Sequence, residues 1–133
     1  MKVESVLRVK RVYEPPSGED GYRILVDRIW PRGVTKEKAH VDEWRKDLAP
    51  SDALRQWFRH DPEKWEEFRR RYRAELQKAG KWADLRAIAE RAKKRNVTLV
   101  FSAKDETRNQ AVALKEMLFA YGSQPGNTRR SDA

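Results

Sequence analysis

The stretch YRILVDRIWPRG, Tyr22 to Gly33, decides the fold. Its contiguous apolar centre, Ile24, Leu25 and Val26, suits a strand buried on both faces. Side chains alternate along such a strand, so Tyr22, Ile24, Val26 and Arg28 share one side, and Arg23, Leu25, Asp27 and Ile29 the other. Pro31 has no N–H to give a ladder and biases Trp30 away from helix, so the strand is expected to finish near Arg28. Gly33 then supplies a turn geometry closed to Arg32. The exit from a buried strand thus carries Asp27, Arg28 and Arg32, which makes it a candidate site as well as a fold signal.

Upstream, residues 3–13 alternate, with Val3, Ser5, Leu7, Val9, Arg11 and Tyr13 on one side, and read as a first strand. The loop EPPSGEDG, with adjacent prolines and two glycines, separates it from the second. Downstream, residues 34–50 are irregular, with a helical turn expected from Thr35. Ser51 suits the N-cap of a short helix through Leu54, Trp57 and Phe58, and the HDP at 60–62 resets the chain, with Asp61 as cap and Pro62 at the first helical position. Trp65, Phe68, Tyr72 and Leu76 form one stripe of a longer helix. Its RRRYR, residues 69–73, is offset by Glu63, Glu66, Glu67 and Glu75 at ion-pair spacings, so a solvated face is expected there. After Gly80, Trp82, Leu85, Ile88, Ala89 and Ala92 mark another helix. VTLVFS, residues 97–102, is β-branched and continuous, a second central strand. Asp105 or Thr107 is then expected to cap a last helix carrying Ala111, Leu114, Leu118 and Tyr121.

Strand, helices, strand and helix in that order predict an α/β fold of two or three layers, with helices flanking a mixed or mostly parallel sheet. The 133 residues suit a single domain, expected over 1–122, with a flexible tail over 123–133, which lacks periodicity and apolar anchors. With no cysteine there is no disulfide and no thiolate nucleophile or ligand, and two histidines rule out a histidine-rich zinc cluster. No run reaches the length of a membrane span and the N-terminus lacks a signal-peptide core, so a cytoplasmic location is expected. The formal charge of +9 favours anionic partners, nucleic acids or phosphorylated small molecules, without choosing between them.

In open α/β sheets ligands favour the carboxyl ends of strands, beside helix N-termini. The first such end presents Asp27, Arg28 and Arg32, and the second Ser102, Lys104, Asp105, Arg108 and Asn109. If the two ends are neighbours, the arginines can grip a phosphate or carboxylate, Lys104 adds a point charge, and Asp27 and Asp105 position cations or accept a proton. The bland alternative is that Asp27 satisfies a buried sheet end and Asp105 caps a helix. Trp30 reads as core or a cleft wall. His60 is a proton carrier or a helix-junction residue, and Ser102, Asp27 and His60 can be drawn as a triad that nothing local makes specific. No Walker loop, nucleophile elbow, dinucleotide fingerprint or carboxylate-rich metal motif is present, so no cofactor or metal is expected.

The segments YRILVDRIWPRG, LAPS, WFRHDPEKWEEFRRRYRAEL and VTLVFSAKDETRNQAVAL, in this order, resemble the YeaO-like family, a domain of unknown function (488). The resemblance spans most of the chain outside the tail and implies a compact α/β domain. It points to Asp27, Arg28, Trp30, Pro31, Arg32 and Gly33 in a first motif, His60, Asp61 and Pro62 in a second, and Lys104, Asp105 and Asn109 in a third. Phe101 stands where the family is expected to carry tyrosine. The family has no established reaction, so the leading expectation is binding of an anionic small molecule, with or without chemistry. A nucleic-acid-associated module and a protein-interaction module are the alternatives.

Overall fold

The computed structural model describes residues 6–122. The expected tail over 123–133, and Val3 and Ser5 of the first strand, lie outside them. The strands are β1 (Leu7–Arg11), β2 (Tyr22–Leu25), β3 (Glu43–Trp44) and β4 (Val97–Phe101). The helices are α1 (Lys36–Ala39), α2 (Asp52–Phe58), α3 (Trp65–Lys78), α4 (Trp82–Lys94) and α5 (Gln110–Gly122).

The sheet runs β1-β4-β2-β3 with every pairing parallel. The last strand in sequence therefore sits between the first two, with Leu99 facing Val9 on one side and Ile24 on the other. Every residue of β4 is buried, as a β-branched run covered on both faces requires. Its neighbour β2 alternates as expected. Ile24 and Val26 join the large core beneath α2, α3, α4 and α5, while Leu25 turns to a smaller core with Val12, Ala39 and Val100 under α1 and its flanking loops. One helical layer is thus thick and the other thin.

β2 ends earlier than Pro31 alone would dictate. Val26 N–H still donates to Val100 O, but the carbonyl of Asp27 accepts from the Trp44 indole at 2.8 Å. A side chain therefore takes the position that a ladder partner would hold, and the strand exit turns away from the sheet. β3, which holds Trp44, is two residues long and has no alternating pattern of its own. The start of β2 is equally constrained. Gly21 sits at φ +66, and a Cβ there would lie 2.1 Å from the Asn96 carbonyl oxygen.

The predicted caps at Ser51 and Asp61 are both in place. Ser51 Oγ accepts from Leu54 N–H at the start of α2, and Asp61 accepts from Glu63 N–H, with Pro62 opening the turn before α3. The stripe of α3 stacks inward, Phe68 lying 4.3 Å from Phe58 and 5.6 Å from Tyr72 between ring centroids. Burying Tyr72 completely contributes roughly 3 kcal/mol or more of the core's stability. Its hydroxyl donates to Leu48 O and pins the 46–48 turn to α3. On the outer face of α3, Arg69 pairs with Glu66 and Glu116, and Arg70 and Arg71 with Glu67, as the alternation of charges anticipates. Among the described residues no helix is long and apolar enough to cross a membrane.

Candidate functional site

Because β4 lies against β2, the two polar strand ends open on the same edge of the sheet. A cleft of about 160 Å³ lies there, lined by Asp27, Arg28, Ile29, Pro50, Arg55, Phe58, His60, Phe68, Ser102, Ala103 and Gln110. The exit of β2 delivers Asp27, the exit of β4 delivers Ser102, α5 begins with Gln110, and α2 supplies Arg55 and Phe58.

Asp27 is 7 % exposed and accepts from Gln110 Nε2 at 2.6 Å. Burial pushes its carboxyl above the ordinary value, against the pull of Ser102, Gln110 and the Arg55 charge. No ion pair reaches it among the described residues, whose cations near the cleft are turned elsewhere. Arg28 Nε donates to Pro50 O at 3.0 Å and lies 3.8 Å from Asp52 Oδ1, while Arg55 Nη2 donates to that same oxygen at 3.0 Å. The cleft therefore has a buried carboxyl at its floor and guanidinium groups at its rim.

His60 borders the cleft with its ring 5.8 Å from Phe58, but no hydrogen bond joins it to Ser102 or Asp27, so the three do not assemble as a triad. Its backbone is left-handed at φ 56, directly after Arg59 at φ 46. Consecutive non-glycine residues in that region cost about 1–2 kcal/mol each, and the turn they make carries the chain from α2 to Asp61.

The cleft brings together Asp27, Arg28, His60 and Ser102, and excludes Trp30, Arg32, Lys104, Asp105, Arg108 and Asn109. Trp30 packs in the thin layer, donating its indole N–H to Val34 O and meeting Trp44 edge-on at 5.4 Å. It closes the turn that follows β2 and is no wall of the cleft. Arg32 is exposed and its carbonyl accepts from Tyr13 Oη, and Lys104 is exposed. Asp105 accepts from the N–H groups of Thr107 and Arg108 and pairs with the Arg108 side chain at 3.2 Å. Burial disfavours its charge, but those hydrogen bonds hold its carboxyl below the ordinary value. The cap of α5 is Asn109, whose Oδ1 accepts from Val112 N–H while Nδ2 donates to Asp105 O, so neither Asp105 nor Thr107 has that part.

Sequence reasoning did not single out Arg55 or Gln110. Gln110 was findable, since the first turn of a helix after a central strand faces the strand ends. Arg55 carried no local signal, because polar residues on the outer side of a short helix are the rule. Among the described residues no group of three or more acidic, histidine or cysteine side chains could hold a metal ion.

Residues 6–131 match the family described as the inactive DUF488-N3 subclade. The chain is 44 % identical over 112 residues to the uncharacterized protein YeaO of Escherichia coli, covering 84 % of this chain and 96 % of that one. It is 43 % identical over 115 residues to the uncharacterized protein Rv3073c of Mycobacterium tuberculosis, covering 86 % and 95 %. No solved structure matches. Match and identity over nearly the whole length make this chain a member of the YeaO-like DUF488 family.

Proposed function

We propose that this protein is a cytoplasmic binding domain that holds a small anionic molecule in the cleft at the carboxyl ends of β2 and β4, without turning it over. The observation that carries the reading is the pair of rim guanidinium groups, Arg28 and Arg55, brought to one carboxylate oxygen of Asp52 beside the cleft. That arrangement accepts a carboxylate or phosphate through charge-assisted bonds. A binding role without catalysis is supported by the unassembled Ser102, Asp27 and His60, and by the word inactive in the description of the matching subclade. The basic stretch of α3 lends less to a nucleic-acid reading, because Arg69, Arg70 and Arg71 have carboxylate partners and Arg71 also stacks over Trp57 at 4.1 Å.

A thermal-shift screen against small carboxylates and phosphates tests the reading. A ligand at one hundred times its Kd adds about 2.7 kcal/mol, a rise of roughly 10 °C for a domain of this size. Arg55→Ala should abolish the rise, whereas Lys104→Ala, outside the cleft, should keep it. A screen with no stabilising anion, or equal loss in both variants, defeats it.

A further inference from the structure

We infer that the ligand of this cleft is a small zwitterion, with an ammonium or other N–H donor on Asp27 and a carboxylate or phosphate on Arg28 and Arg55 in the place of Asp52. The inference rests on the anion-binding reading above and narrows it to a class of compound.

Floor and rim have opposite requirements. Asp27 is buried and takes Gln110 Nε2 on Oδ1 and the Ser102 side chain and backbone N–H besides, which leaves one acceptor position on a carboxylate that can hold about four. A second anion pushed to that depth meets its charge across a medium of low dielectric, while a donor is drawn in. A ligand that carried an acid and nothing else would fit the rim and be repelled by the floor. At the rim, Asp52 Oδ1 lies between Arg55 Nη2 at 3.0 Å and Arg28 Nε at 3.8 Å. Asp52 is the first residue of α2 and its side chain is 65 % exposed, so it can turn out to water without disturbing the core. The chain's own carboxylate thus stands where a ligand's acid group would bind, and it competes with that group.

Between these ends the lining includes, beside His60 and Ser102, the apolar Ile29, Pro50, Phe58 and Phe68. A methylene spacer suits them and a charged one does not. The volume of about 160 Å³ admits a molecule on the scale of a single small amino acid.

Isothermal titration of the full chain with matched probes tests this. The zwitterions are glycine, β-alanine, 4-aminobutyrate and 2-aminoethyl phosphate, and the anions are acetate, propionate, butyrate and inorganic phosphate. The best zwitterion should bind at least about tenfold more tightly than its matched anion, the worth of one charge-assisted hydrogen bond. The carboxylate and phosphate arms identify which acid the rim prefers. Asp27→Asn should reduce the zwitterion's affinity to that of the anion, and Asp52→Asn should tighten every acid-bearing probe severalfold. Amide resonances of Ser102 and Gln110 should move with the zwitterions in the unmodified chain, which locates binding without relying on a variant. Anions that bind as tightly as their zwitterions, or an Asp27→Asn chain that keeps the preference, overturn the inference and leave an anion cleft standing. Failure of every acid-bearing probe to bind defeats both.

Discussion

Neutralising the buried aspartates one at a time separates charge that holds the fold from charge that serves the cleft. Asp20, 1 % exposed, accepts from Arg23 Nη1 at 2.6 Å, Lys10 Nζ at 3.1 Å and Ser17 N–H at 3.0 Å. Burial alone would raise its carboxyl, but the hydrogen bonds from Ser17, Lys10 and Arg23 win and hold it below the ordinary 3.8. Asp20→Asn keeps the shape and removes the charge. Arg23, 3 % exposed, then keeps the carbonyls of Ala39 and His40 on its guanidinium and has no ion-pair partner among the described residues. Removing one partner of a buried pair costs about 3–5 kcal/mol. Lys10 is partly exposed and can turn to water, so the lower end, about 3 kcal/mol, is expected here. In urea, at a slope of about 1.5 kcal/mol per molar, the midpoint should fall by about 2 M.

Asp27→Asn in the same urea series should hold or raise the midpoint, because burial already works against that charge. The pH dependence has opposite signs at the two positions. Asp20 adds stability above 3.8 that disappears as the pH falls through its lowered folded-state value, so the gap between wild type and Asp20→Asn closes in acid. Asp27 carries no charge penalty below 3.8 and acquires one as the pH rises through its raised value, so Asp27→Asn removes that decline. Tryptophan fluorescence in urea from pH 3 to pH 8 reads both, the range being about that in which aspartates titrate. An Asp20→Asn loss below about 1 kcal/mol, or an Asp27→Asn loss equal to it, would refute the separation.

Gly21→Ala should cost about 3 kcal/mol or more by thermal unfolding, since the new Cβ would lie 2.1 Å from backbone that cannot retreat without parting Asn96 O from Tyr22 N–H. A loss below about 1 kcal/mol would mean that the two segments lie further apart. Tyr72→Phe should cost about 1–3 kcal/mol in urea, the penalty for leaving Leu48 O buried and unpaired, and a neutral result would show that water reaches that carbonyl.

What could be read in the sequence follows from how locally each element is determined. The central strands announce themselves as continuous apolar runs, and α2 and α3 by caps and stripe. β3 could not be read that way, because Glu43–Trp44 is a strand only through its pairing with Ile24 and Leu25. The entirely parallel sheet and the insertion of β4 between β1 and β2 were likewise set by partners far apart in the chain. For the site, the sequence indicated both strand ends and left open which of their polar residues face the same space. Arg55 belongs to neither end and is brought there by the packing of α2.

The division among those polar residues follows from where their hydrogen bonds go. Asp105 bonds to Thr107 and Arg108, Asn109 to Asp105 and Val112, and Trp30 to Val34, so each closes its own turn. A carboxylate that already serves two nearby N–H groups and an adjacent guanidinium has little attraction left for a ligand. Asp27 finds its partners at Ser102 and at Gln110, 83 positions away, and Arg28 finds Pro50 across 22, so both are held by the tertiary fold and line the cleft. A polar strand-end loop is therefore two populations in one segment. Residues such as Asp105 make the bend, those such as Asp27 use it, and only the fold tells them apart, because both are the same residue types drawn to the same place by the same need to satisfy backbone.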